Sequence, residues 1–138
     1  MKQTKGEAPV FKSLEIFQLA SNMARHAGAR QAIVSQNVAH ANTPGYEARD
    51  IGSFADSLET NRSSSLKTTN PRHMTGSNIP GLAAKEFLAE GPAAPNGNTV
   101  SIETEILRSI EAEREQSRAL AIYQSASNIL KTTIGRGR

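Results

Sequence analysis

Three histidines, His26, His40 and His73, are where metal or acid–base chemistry would first be sought in this chain of 138 residues. They match no zinc-helix spacing. His26 and His40 fall two heptads apart on one predicted helix, which separates them by about 21 Å at 1.5 Å per residue. They cannot share a metal within one chain, and they read as surface or interface histidines. Carboxylates at Glu103 and Glu105, and at Glu111, Glu113 and Glu115, resemble paired acids for general acid–base work. Residues two apart on a helix do not face each other, however, and the interleaved Arg114 and Arg118 point to ordinary pairing along the helix surface. The segment Gly76-Ser77-Asn78-Ile79-Pro80-Gly81 lacks both the phosphate-loop spacing and the nucleophile-elbow pattern. With no cysteine there is no thiolate chemistry and no disulfide framework. The residues therefore predict no catalytic centre, no cofactor and no metal.

Binding classes narrow in the same way. Sixteen Lys and Arg stand among thirteen acids, for a net charge of +3, and they alternate instead of forming a stripe. No aromatic platform accompanies them, which argues against nucleic acid. No apolar run reaches the ~20 residues of a membrane span, and the first helix carries too little bulky apolar surface for insertion into lipid. The amino-terminal stretch is charged and is broken by Lys12, Glu15 and Gln18, so a cleaved secretory leader is not expected.

Leu, Ile, Val and Phe number 27, just under a fifth of the chain. That is where a self-sufficient core becomes doubtful, so the elements are expected to be completed by partners. Residues 10–42 read as one long helix. Ile16, Ala20, Met23, Ala27, Val34 and Ala41 recur at helical steps, with Phe17, Ala24 and Val38 alongside. Asn42-Thr43-Pro44-Gly45-Tyr46 ends it. Pro44 followed by Gly45 predicts a type II turn, with Gly45 supplying the positive φ. Residues 43–99 read as an irregular segment, extended and available to neighbours, apart from a short helix over 51–61. Residues 101–134 form a second long helix capped by Ser101, with Glu103 and Glu105 at the positive end of its dipole. Its apolar stripe is Ile106, Ile110, Leu120, Tyr123, Leu130 and Ile134, and it breaks over 111–118, which is expected to be solvated or salt-bridged.

The fold class is thus mainly α: two long terminal helices packed antiparallel as a coiled-coil-like pair, with a poorly regular middle. Each apolar stripe needs another surface, and the only comparable one is at the opposite end of the chain. Ala20, Ala24 and Ala27 would let the axes approach.

One stretch carries a resemblance. Asn37, Ala39, Asn42, Thr43, Pro44, Gly45 and Tyr46 reproduce the Asn-aliphatic-Ala run into Thr-Pro-Gly-aromatic that is the signature of the bacterial flagellar rod and hook family. A second block just before the last helix, with Gly97, Asn98, Thr99, Val100 and Glu103, resembles that family's proximal-rod branch. His40 departs from the pattern, standing where the family usually has Asn. The resemblance spans the whole chain and implies that residues 1–138 are a single non-enzymatic rod-type subunit of the basal body. It implies helical assembly around a channel, with the apolar stripes of both helices used for packing. It also implies a periplasmic location after type III export without a cleaved leader. The implied partners are copies of itself, other rod proteins, the ring-to-rod adapter and membrane-ring base, and the export apparatus, with no nucleic acid and no lipid insertion. The alternative is a small helical adapter that binds nucleic acid or an acidic protein through a basic face.

Overall fold

The computed structural model describes residues 8–63 and 85–135. In chain order it contains α1 (Ala8–Ala39), β1 (Arg49–Ile51), α2 (Phe54–Ser63), β2 (Glu86–Leu88) and α3 (Ile102–Gly135). The architecture is mainly helical, and α1 packs along α3. The sense is antiparallel, because partners descend α3 as they ascend α1. Phe17 meets Tyr123 edge to face at 5.0 Å, His26 Nδ1 lies 3.6 Å from Glu115 Oε2, Gln31 donates to Ser109 at 3.0 Å, and Asn37 donates to Glu105 at 3.1 Å.

The residues that form this seam match the expected stripe on α1 and differ from it on α3. On α1 the buried line runs through Ala20, Ala27 and Val34, and on α3 through Glu105, Ala112, Ala119 and Ala126. Each line steps by seven residues, two helical turns, and so follows one edge of its helix. Small side chains on both lines let two backbones lie close, although each alanine contributes only about 0.8 kcal/mol of burial. The large apolar residues expected on α3 lie outside the seam: Ile106, Leu120 and Tyr123 are half exposed and Ile110 is 40 % exposed. Helical geometry accounts for this. At 100° per residue, Ile106 stands about 100° from Glu105, and Ile110 about 160° from Ala112. The 111–118 window is salt-bridged as expected, but across to α1 and not along its own helix, Glu111 pairing with Arg30 and Glu115 lying beside His26, and it also contributes buried Ala112 to the seam. Of the other stripe residues, Ala24 and Leu130 are half-buried, Val38 is exposed, and the side chain of Ile134 lies outside the described set.

His26 is not at the surface. It is buried between α1 and α3, edge-on to Phe54 of α2 at 5.6 Å between ring centroids.

The middle is more regular than expected wherever it is described. β1 and β2 pair antiparallel, with Arg49 opposite Leu88, Asp50 opposite Phe87 and Ile51 opposite Glu86. Ile51, expected in the short helix, belongs to this ribbon. The helix starts at Phe54 because Ser53 and Asp56 cap it reciprocally: Asp56 N–H donates to Ser53 Oγ, and Ser53 N–H to Asp56 Oδ2. Ile33, Ala48, Ile51 and Phe54 are buried and make a small side core beside the seam. Residues 64–84, including His73 and the Gly76–Gly81 stretch, lie outside the described residues. At α3 the expected cap is present, Ser101 accepting Glu105 N–H on its carbonyl and Thr104 N–H on its hydroxyl.

Candidate functional site

The two sequence blocks that looked alike only as separate signatures meet in space. The first begins where α1 stops. Pro44 cannot continue a helix, and beyond Ala39 the chain tightens: Ala41 N–H donates to Val38 O and Thr43 N–H to His40 O. The helix therefore ends three residues before the expected position. Tyr46 N–H closes a turn on Thr43 O at 3.3 Å, and Gly45 has φ +69°, as the type II reading requires.

These exit turns leave carbonyls without helical partners, and Asn98 supplies them. Its Nδ2 donates to the carbonyls of His40, Ala41 and Thr43 at 3.0, 2.9 and 2.8 Å, while its Oδ1 accepts Val100 N–H at 2.7 Å. The backbones join as well. Gly45 N–H donates to Asn96 O at 3.0 Å, Thr99 N–H to Tyr46 O at 3.1 Å, and Ala48 N–H to Thr99 Oγ1 at 2.8 Å. Gly97, with φ +79°, lies against Gly45 so closely that a Cβ on it would stand 3.5 Å from the Gly45 Cα. Both glycines occupy a backbone region that other residues enter at a cost.

Asn37, fully buried on the last turn of α1, does for β1 what Asn98 does for α1. Its Nδ2 donates to Arg49 O at 2.7 Å and to Glu105 Oε2 at 3.1 Å, and its Oδ1 accepts Arg49 N–H at 3.1 Å and the Tyr46 hydroxyl at 3.2 Å. An amide has two donors and one oxygen with two lone pairs, and every one is used. His40, the departure from the family pattern, also has partners: its ring stacks on Tyr46 at 4.7 Å, and Nδ1 lies 3.3 Å from Thr43 Oγ1. Ala39, Asn42 and Pro44 are exposed.

From Glu105 an ionic chain runs back along the seam. Arg108 Nη1 donates to Glu105 Oε1 at 2.6 Å, and Arg108 Nε lies 3.3 Å from buried Asp50. Asp50 also accepts Arg30 Nε at 3.3 Å, and Arg30 pairs with Glu111 at 3.2 Å. Burial opposes the Arg30 charge, but the hydrogen bond to Asp50 and the charges of Asp50, Glu111 and Glu115 outweigh it and raise its pKa. The network ties α1, β1 and α3 together. Asp50, Arg30 and Arg108 were not singled out by sequence, since nothing in their spacing links them before the chain has folded.

Glu103, from the second block, receives the Ser101 hydroxyl at 2.9 Å in the first turn of α3. Its pKa is lowered by a backbone hydrogen bond at its own amide and by the Ser101 bond. Among the described residues no group of three or more His, Cys, Asp or Glu is placed to hold a metal ion, and no helix is long and apolar enough to cross a membrane. The arrangement fixes the angle and register of two helices, and its basic groups Arg30 and Arg108 are engaged by acids.

No family model matches the chain. Similar proteins named flagellar basal body rod protein FlgB span most of it. That of Agrobacterium fabrum is 26 % identical over 127 residues, 89 % of this chain and 95 % of the relative. That of Cereibacter sphaeroides is 32 % identical over 108 residues, 76 % and 82 % of the two chains. The Aeromonas hydrophila protein is 32 % identical over 111 residues, covering 77 % and 83 %.

Proposed function

Because the chain belongs to the FlgB family of flagellar basal body rod proteins, we propose that it is a structural, non-enzymatic subunit of the proximal rod in the bacterial flagellar basal body. Residues 1–138 act as one rod-type subunit that joins other flagellar proteins in the axial drive shaft. Its partners are copies of itself, neighbouring rod proteins, and the ring-to-rod adapter with the membrane-ring base. The export apparatus handles it on the way to a periplasmic position.

The observation that carries this reading is the likeness to FlgB proteins over most of the chain, with both motif blocks engaged in one junction. A second feature supports it. The α1–α3 pair spends its small residues on itself and leaves Ile102, Ile106, Leu107, Ile110 and Leu120 of α3 exposed. An apolar ridge of that kind on a helix already packed on its other side is what polymer neighbours would cover. The family turn residues hold the pair in shape, and the outward residues make the contacts between subunits. The alternative, an adapter with a basic face for nucleic acid or an acidic protein, finds no support, since the partly buried arginines are paired within the chain.

The test is complementation of a strain lacking this gene. A double variant, Ile106→Glu with Ile110→Glu, should keep its helical circular dichroism, because neither residue is in the seam, yet fail to restore rods and swimming. Normal rods and swimming would show that this face is not an assembly contact.

A further inference from the structure

Asn96-Gly97 is the single Asn-Gly pair in the chain, and it lies in the loop that completes the junction. In an open peptide this pair is the most vulnerable to attack on itself, because glycine places no Cβ in the path of its own amide nitrogen. The Gly97 nitrogen loses its proton to solvent hydroxide and attacks Asn96 Cγ. A C–N bond closes a five-membered succinimide, the bond to the side-chain nitrogen breaks, and ammonia leaves. Water then opens the ring. Cleavage at the Cγ side gives aspartate, and cleavage at the backbone carbonyl gives isoaspartate, whose main chain runs through the former side chain with one extra methylene. One water is consumed and one ammonia released.

The folded junction engages the nucleophile and both oxygens of Asn96 in other bonds. Gly97 N–H donates to Ala94 O at 2.8 Å, so the nucleophile keeps its proton in a hydrogen bond. Asn96 Oδ1 accepts Asn98 N–H at 3.1 Å, which fixes the side-chain amide. Asn96 O accepts Gly45 N–H at 3.0 Å, and Gly97 is held at φ +79°. Attack requires the 94–98 loop to open first.

We propose that Asn96 is a modification site guarded by the junction: it converts to aspartate and isoaspartate in chains whose two motif blocks have not met, and is protected once they have. The loop acts as a chemical clock on unfolded chains. An isoaspartate at 96 displaces the carbonyl that receives Gly45 and shifts Gly97 and Asn98 out of register, so an aged chain cannot rebuild the clasp. The inference rests on the loop geometry alone and does not depend on the rod assignment.

The test follows conversion at position 96 by peptide mass spectrometry after incubating the full chain at mildly alkaline pH, in buffer and in concentrated urea. Conversion in buffer should be at least about tenfold slower, the factor that ~1.4 kcal/mol of local opening gives. In urea, Gly97→Ala should slow conversion, since a Cβ now hinders the attacking nitrogen. Equal rates in buffer and urea, or a Gly97→Ala chain in urea that converts as fast as the natural one, would overturn the proposal.

Discussion

The α1–α3 seam and the junction at its end hold the same two helices by opposite means. Along the seam the buried line is mostly alanine at seven-residue steps, each worth little, with the polar pairs His26–Glu115, Gln31–Ser109 and Arg30–Glu111 spaced beside it. At the junction the contacts are mainly polar: Asn37 uses every donor and acceptor it owns, and Asn98 donates to three carbonyls and accepts one N–H. A row of alanines is nearly the same after a slide of one heptad, whereas Asn37 and Asn98 recognise particular carbonyls and have one solution. The seam therefore supplies adhesion with a few register marks beside it, and the junction fixes the register at its end. Buried polar groups serve specificity in this way when all of their partners are present, and they become costly when one is removed.

The sharpest attack on that division is Asn98→Ala. It removes a donor from three carbonyls, of which His40 O and Thr43 O keep a backbone N–H, and takes from Ala41 O and the Val100 N–H the partner that Asn98 gave them. It should cost about 3 kcal/mol by the penalty for unsatisfied, partly buried groups, read as a lowered urea midpoint. A loss under about 1 kcal/mol would mean that the seam alone sets the register. Ala119→Leu attacks the other region. It inserts a branched side chain at a position that is 1 % exposed in the seam, and overpacking of this kind costs about 2 kcal/mol. A neutral result would show a seam loose enough to accept bulk, and the contrast with the junction would weaken. The smallest effect concerns Glu103. Because its pKa is lowered in the folded chain, its contribution is complete above the ordinary glutamate value and disappears as the pH falls through the folded value. Glu103→Gln should therefore narrow the gap to the natural chain on acidification, measured as urea midpoints at neutral and acid pH.

The long helices and their pairing were legible in the sequence because a 3.6-residue period and a Pro-Gly stop are local signals. The seam was visible as well, in Ala112, Ala119 and Ala126, but a reading weighted toward large apolar residues passes over it and selects Ile106, Ile110 and Leu120, which face outward. Both motif blocks were recognisable as strings. Their meeting was not, because Asn98 bonds carbonyls 55 to 58 residues away and an asparagine carries no mark of its partner. The Asp50 network was hidden for the same reason, with Arg30 and Arg108 far apart in the chain and joined only through β1. His26 read as a surface or interface group because nothing local shows that α2 will cover it.

The β1–β2 ribbon has a consequence for how such a subunit can change. The chain that leaves at Ile51 returns at Glu86, directly opposite, so both ends of the intervening stretch are pinned to one spot on the shaft. Apart from α2, whose Phe54 packs on His26, what lies between them can be shortened, lengthened or exchanged without tugging on either long helix. Doubling a tethered length adds only about 0.6 kcal/mol of closure entropy. One clasped pair of helices could therefore carry inserts of many sizes at a single socket, with the outline of the subunit revised while its axle stays the same.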